Sequence, residues 1–152
     1  MRRGALLAGV AAAALAGCGS GDEERLTQAE FRATTDAICA SYTRRAEKQL
    51  GPSSIDPTSP TASALDIARF ARQIQRLATL IGEQLDDLQA VRAPAESATT
   101  YSQVLALFGQ IENTLVRAAR AARKGDRRGV ADIGKELFAL NAQVDALGFT
   151  CE

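Results

Sequence analysis

Apolar side chains recur three and four residues apart in four separate runs of this chain, and no stretch alternates apolar with polar as a half-buried strand would. The first run passes through Phe31, Thr35, Ile38 and Tyr42. Thr27 is placed to cap it, Glu30 to complete a capping box and Leu26 to staple onto Phe31, while Gly51-Pro52 stops it near Leu50. The second runs through Ile67, Phe70, Ile74, Leu77, Ile81, Leu85 and Leu88. Its predicted start is Ser59-Pro60, with serine as cap and proline in the first turn, and its predicted end is the turn from Val91 to Pro94. The third carries Tyr101, Val104, Phe108, Ile111, Leu115 and Ala118, and Lys124-Gly125 ends it as a basic last turn before a left-handed glycine. Asp126 then caps the fourth, whose seam is Val130, Ile133, Leu137, Leu140, Val144 and Leu147, closed by Gly148.

Four helices with one apolar face each must bury those faces on one another. The connections after the second and third helices are very short and that at 51–63 is still modest, so sequence neighbours are expected to lie antiparallel. The expected fold is all-α, an up-down-up-down four-helix bundle over 27–152. A three-helix bundle with a detached first helix is the competing arrangement.

The N-terminal segment has a different pattern. Arg2 and Arg3 precede an apolar stretch from Ala5 to Leu15, too short for a membrane span of about 20 residues, and Leu15-Ala16-Gly17-Cys18 follows. This order resembles a bacterial lipoprotein signal peptide. The resemblance implies that 1–17 is removed, that Cys18 receives a diacylglycerol, and that 18–26, beginning Gly19-Ser20-Gly21, is a flexible tether. The alternative is an ordinary secretory signal cut at another small-residue site. On the lipoprotein reading the domain is extracytoplasmic and held at the cell membrane by its lipid anchor.

That reading changes both the charge and the cysteine count. The whole chain balances 18 basic against 18 acidic residues, and without Arg2 and Arg3 the remainder has 16 against 18. Bulk attraction to nucleic acid is therefore not indicated. Of three cysteines, Cys18 goes to lipid, which leaves Cys39 and Cys151 in a compartment that permits disulfides. They are expected to pair. Two free thiols are the alternative; a metal pair is disfavoured because the chain has no histidine to complete a zinc shell.

The mature region also resembles a loosely defined set of small secreted or lipid-anchored helical proteins of high-GC bacteria. The residues that carry this are Phe31 with Asp36-Ala37-Ile38-Cys39, the Ala93-Pro94 turn, Gly125-Asp126 and Gly148-Phe149-Thr150-Cys151. The resemblance implies the helical fold and a Cys39–Cys151 bridge, and it brings no activity with it.

Candidate chemistry is sparse. The usual general base and triad member are missing with histidine, and there is neither a phosphate-binding glycine loop nor a nucleophile elbow. Glu83, Asp86 and Asp87 form the densest acidic group, but adjacent helical residues diverge by about 100° and make no facing dyad. No enzyme activity, cofactor or metal is expected.

The more suggestive feature is electrostatic. In the expected topology the membrane-near end holds Asp22, Glu23, Glu24, Glu83, Asp86, Asp87, Glu96 and Asp145, and the far end holds Arg44, Arg45, Lys48, Arg69, Arg72, Arg117, Arg120, Arg123, Lys124, Arg127 and Arg128. Bases suit the last turns of the first and third helices, but Arg127 and Arg128 open the fourth, where the dipole favours acids. The candidate site for an anion or partner is thus Arg44, Arg45, Arg117, Arg120, Arg123, Lys124, Arg127 and Arg128. The expected role is an envelope interaction module whose partner is an acidic polymer or protein. The alternative is a carrier of a small apolar ligand, with a cavity lined by Phe70, Tyr101, Phe108 and Leu137; Gly82, Gly109 and Gly134 allow either an opening or close packing.

Overall fold

The computed structural model describes residues 25–51, 56–149 and 151. Cys18 and the signal segment lie outside the described residues. Four helices account for the described fold: α1 (Gln28–Leu50), α2 (Ala64–Gln89), α3 (Ala98–Arg123) and α4 (Arg127–Ala146). Successive helices pack side by side in chain order, α1 on α2, α2 on α3 and α3 on α4, as an up-down-up-down bundle requires. No strand occurs among the described residues.

The helix starts follow the capping chemistry. Glu30 N–H donates to the Thr27 hydroxyl, and the Glu30 carboxylate accepts the Thr27 N–H at 2.9 Å, so two orphan donors are satisfied reciprocally. At α2 the same device uses Ser63 and Asp66, which moves the start four residues beyond the expected Ser59-Pro60. The residue three beyond Ser59 is Ala62, which has no carboxylate to return the bond. The Ser59 and Ala62 carbonyls instead accept the two ends of the Arg127 guanidinium, at 2.9 and 3.0 Å. Gly51, Gly125 and Gly148 have φ of 62°, 70° and 70°, and Asp126 caps α4 through Gly129 N–H.

The seams are close to those read from the chain, with two shifts. On α1 the buried residues are Phe31, Thr35, Cys39 and Tyr42, so the seam runs through Cys39, while Ile38 is only half-buried. On α2 burial moves toward Ala71, Ala78, Leu80, Gln84, Leu85 and Leu88. One core cluster fills the middle and the α3-start end; a smaller one of Ala71, Ala122 and Val130, backed by Ile67 and Phe70, closes the other end.

The fourth side of the bundle is built differently from the other three. Helices α1 and α4 do not pack directly on each other. The chain beyond α4 turns back at Gly148 and lays Phe149 against the rings of Tyr101 and Phe108, with centroids 6.1 and 6.0 Å away. Cys151 then joins Cys39 of α1, their Cα atoms 5.0 Å apart. Phe149 and Cys151 thus occupy part of the seam that α1 and α4 leave between them. Helix α1 also begins level with the start of α3, where Ser97 Oγ donates to Gln28 Oε1 and Phe31 meets Tyr101 edge to face at 4.8 Å. A reversal of the chain and an offset of α1 therefore both contribute to the register of the bridge.

Candidate functional site

The offset of α1 decides which of the candidate bases share a surface. Gln73 Nε2 donates to the Leu50 carbonyl at 3.1 Å, so α1 stops against the middle of α2 and leaves the first turns of α2 beyond it. The end of the bundle farthest from the start of α1 is therefore built from the start of α2, the end of α3 and the start of α4. Arg44 and Arg45 are not part of it. Arg45 pairs with Glu83 on α2 and lies over the Tyr42 ring at 4.7 Å, while the Tyr42 hydroxyl donates to Asp87 at 2.9 Å. Bases assigned to the far pole and acids assigned to the near pole thus meet at mid-height, and the Glu83 carboxylate raises the Arg45 pKa above its usual value.

Three further members of the expected cluster are committed to local roles. Arg117 pairs with Glu136 at 2.8 Å and holds that carboxyl below its usual pKa, with Thr114 adding a hydrogen bond. Arg123 reaches Gln75 Oε1 at 3.4 Å. Arg127 is the clamp on the loop before α2. The side chains of Arg120, Lys124 and Arg128 remain exposed, as does that of Arg72, and none of the four has a carboxylate partner among the described residues.

The carboxylates at this end are mostly engaged in backbone work. Asp56 accepts from Thr58, Asp66 accepts from the Ser63 cap of α2 and pairs with Arg69 at 3.8 Å, and Asp126 caps α4. Hydrogen bonds from Thr58 and Ser63 lower the pKa of Asp56 and Asp66 respectively. A shallow depression of about 430 Å³ opens between α2 and α3, with Ile67, Ala68 and Ala71 in its floor and Arg72, Arg123 and Lys124 at its rim. The arrangement offers several cations over an apolar floor, held on helix ends that a clamped loop keeps in place.

A second candidate lies on the fourth side. A groove of about 360 Å³ runs between α1 and α4, bounded by Leu77, Leu80 and Ile81 of α2, Phe108 and Ile111 of α3, and Val144 of α4. Phe149 and Cys151 close one end of it. Gln84 is buried in its wall, its amide donating toward Cys151 Sγ at 3.4 Å and Cys39 Sγ at 3.6 Å. Of the four residues expected to line a cavity, Phe108 does so here. Tyr101 lines a separate, more polar cleft of about 490 Å³ at the α3-start end, Phe70 belongs to the small far cluster, and Leu137 packs on the core.

No group of histidine, cysteine, aspartate or glutamate side chains able to hold a metal occurs among the described residues, and no described helix is long and apolar enough to cross a membrane. No protein-family model, curated protein or solved structure matches the chain. Sequence reasoning missed the groove because its closing wall is Phe149, beyond the last helix, where no periodicity marks a residue as internal.

Proposed function

We propose that this protein is a lipid-anchored, extracytoplasmic interaction module that engages an acidic envelope polymer or protein through its membrane-distal basic end. The observation that supports it most is the grouping of Arg72, Arg120, Lys124 and Arg128, exposed and without carboxylate partners among the described residues, where Asp56, Asp66 and Asp126 serve turns and caps. Unpaired surface cations speed encounter with a polyanion and are screened over about 8 Å at physiological salt. The lipid at Cys18 would hold the opposite end at the membrane, so this end faces outward.

The experiment is binding of immobilised polyglutamate across a salt titration. Charge reversal of Arg120, Lys124 and Arg128 together abolishes binding, whereas Arg44→Glu, at mid-height on α1, retains it. Binding that ignores salt, or that survives the triple reversal, overturns the proposal.

A second reading is favoured by the groove between α1 and α4. Its volume of about 360 Å³ and its largely apolar wall fall within the range of small-ligand sites. On this reading the protein carries a small apolar ligand at the envelope.

A further inference from the structure

The groove and the polar cleft share one wall, and that wall is Phe149. Along α1 the cleft is lined by Gln28, Arg32 and Asp36 and the groove by Tyr42 and Ala46. Along α3 the order repeats, with Tyr101 and Val104 in the cleft and Phe108 and Ile111 in the groove. The two spaces therefore follow one another along the bundle axis. The Phe149 ring stands between them, with Tyr101 on one side and Phe108 on the other.

Two features hold that ring in place. Gly148, with φ of 70°, makes the turn that aims the segment back into the bundle. The Cys39–Cys151 bond fixes the segment two residues beyond the ring. Cys39 is only 1 % exposed, whereas Cys151 is an exposed residue and offers the bond to reductants.

The lining also selects the occupant. The groove follows the α2 seam through Leu77, Ile81 and Gln84, so its long axis lies with the helices. Among the described residues, Asp145 is the one charged residue that lines it, and no base there could receive an anionic head. Tyr42, Thr43 and Asn141 supply neutral hydrogen-bonding groups. A straight hydrocarbon chain with an uncharged polar head matches this combination of length, apolarity and charge.

We propose that the groove between α1 and α4 binds one uncharged linear hydrocarbon chain, and that Phe149, latched by the Cys39–Cys151 bond, is the stop that sets the length of chain accepted. The proposal rests on the carrier reading and adds to it a length rule. Removing the stop joins groove and cleft into a longer site. Reduction does so reversibly: a dithiol gives two electrons and two protons to the bond, leaving thiols at Cys39 and Cys151 and a disulfide on the reductant.

The test uses the full chain carrying Cys18→Ser, so that Cys39 and Cys151 are its only cysteines. Straight-chain alcohols of increasing length displace an apolar fluorophore from the oxidised protein, its Phe149→Ala and Phe149→Leu variants, and the protein reduced with dithiothreitol. Helicity is checked for each by circular dichroism. In the oxidised protein, affinity rises about fourfold per methylene, the equivalent of about 0.8 kcal/mol, and then levels off where the chain meets Phe149. Phe149→Ala and reduction each move that plateau to longer chains, while Phe149→Leu leaves it near its original position. A plateau at the same length in every form overturns the stop and leaves the carrier reading standing. Failure of all chains to displace the probe from any form overturns both.

Discussion

The Tyr101 hydroxyl donates to the Leu88 carbonyl at 2.7 Å, joining the first turn of α3 to the last turn of α2. That carbonyl belongs to a helix end, where it otherwise accepts only tight turn bonds, such as that from Val91 N–H at 3.0 Å, and Leu88 is fully shielded from water. Burial pushes the Tyr101 phenol up to about 12 from its ordinary 10. The folded state therefore keeps a proton that the unfolded chain releases. Its contribution is complete below pH 10 and is lost as pH rises from about 10 to 12, on the order of 2 kcal/mol. Urea midpoints measured across that range should fall, and Tyr101→Phe should flatten the fall while lowering stability by about 1–2 kcal/mol at neutral pH.

The Cys39–Cys151 bond closes a loop with a sequence separation of 112 residues, while α1 packs along α2 and meets α3 through Phe31 on Tyr101. Replacing both cysteines with serine should lower unfolding stability by about 3–5 kcal/mol. Amide hydrogen exchange in that variant should quicken first in α1 and least in the middle of α3. Equal acceleration in the two helices would show that the bond stabilises the bundle as a whole and does not pin α1.

Arg127 and Arg128 are adjacent, yet they do different work. Arg127→Ala should free the Ser59 and Ala62 carbonyls, speed proteolysis within 56–63 and lower stability by about 1–2 kcal/mol. Arg128→Ala should leave the loop intact and weaken polyglutamate binding. Limited proteolysis and the binding assay separate the two.

Glu30 and Asp66 have carboxyls held below their ordinary 4.5 and 3.8 by hydrogen bonds to Thr27 and Ser63. The unfolded chain takes up these protons first as pH falls. The stabilisation is complete above the ordinary values and is lost as pH drops through the lowered folded ones. Thermal midpoints should therefore decline below about pH 4.5. Ser63→Ala should lower stability by about 1 kcal/mol near neutrality and make the decline shallower.

Gly134 and Gly125 should respond to alanine with opposite signs. Gly134 lies inside α4 with nothing within 4 Å of an added Cβ, so Gly134→Ala should stabilise by about 0.5–1 kcal/mol. Gly125 has φ of 70°, a conformation in which alanine is strained, so Gly125→Ala should destabilise by about 1 kcal/mol. Chemical denaturation of both variants decides this.

The number of helices, their seams and most of their ends were legible in the chain, because spacing and capping are local. Thr27 with Glu30 and Asp126 after Gly125 mark their positions without reference to anything distant. The start of α2 was read too early because two serines compete there, and only Ser63 has an acid at the returning position. The two-pole charge pattern failed at Arg45 and Glu83 for another reason. It assumed helices of equal height, whereas Gln73 meets the end of α1 partway along α2.

The sequence by itself thus determined four amphipathic helices, their antiparallel order and a pair of cysteines fit to be joined. Tertiary structure alone decided that α1 is offset along the bundle, that only part of the basic cluster stays unpaired, and that Phe149 lies on the side where α1 and α4 do not meet. The division has a physical cause. Helix formation is settled by residues three and four apart, whereas the height of one helix against another, and what fills the gap between them, depends on packing between side chains far apart in the chain.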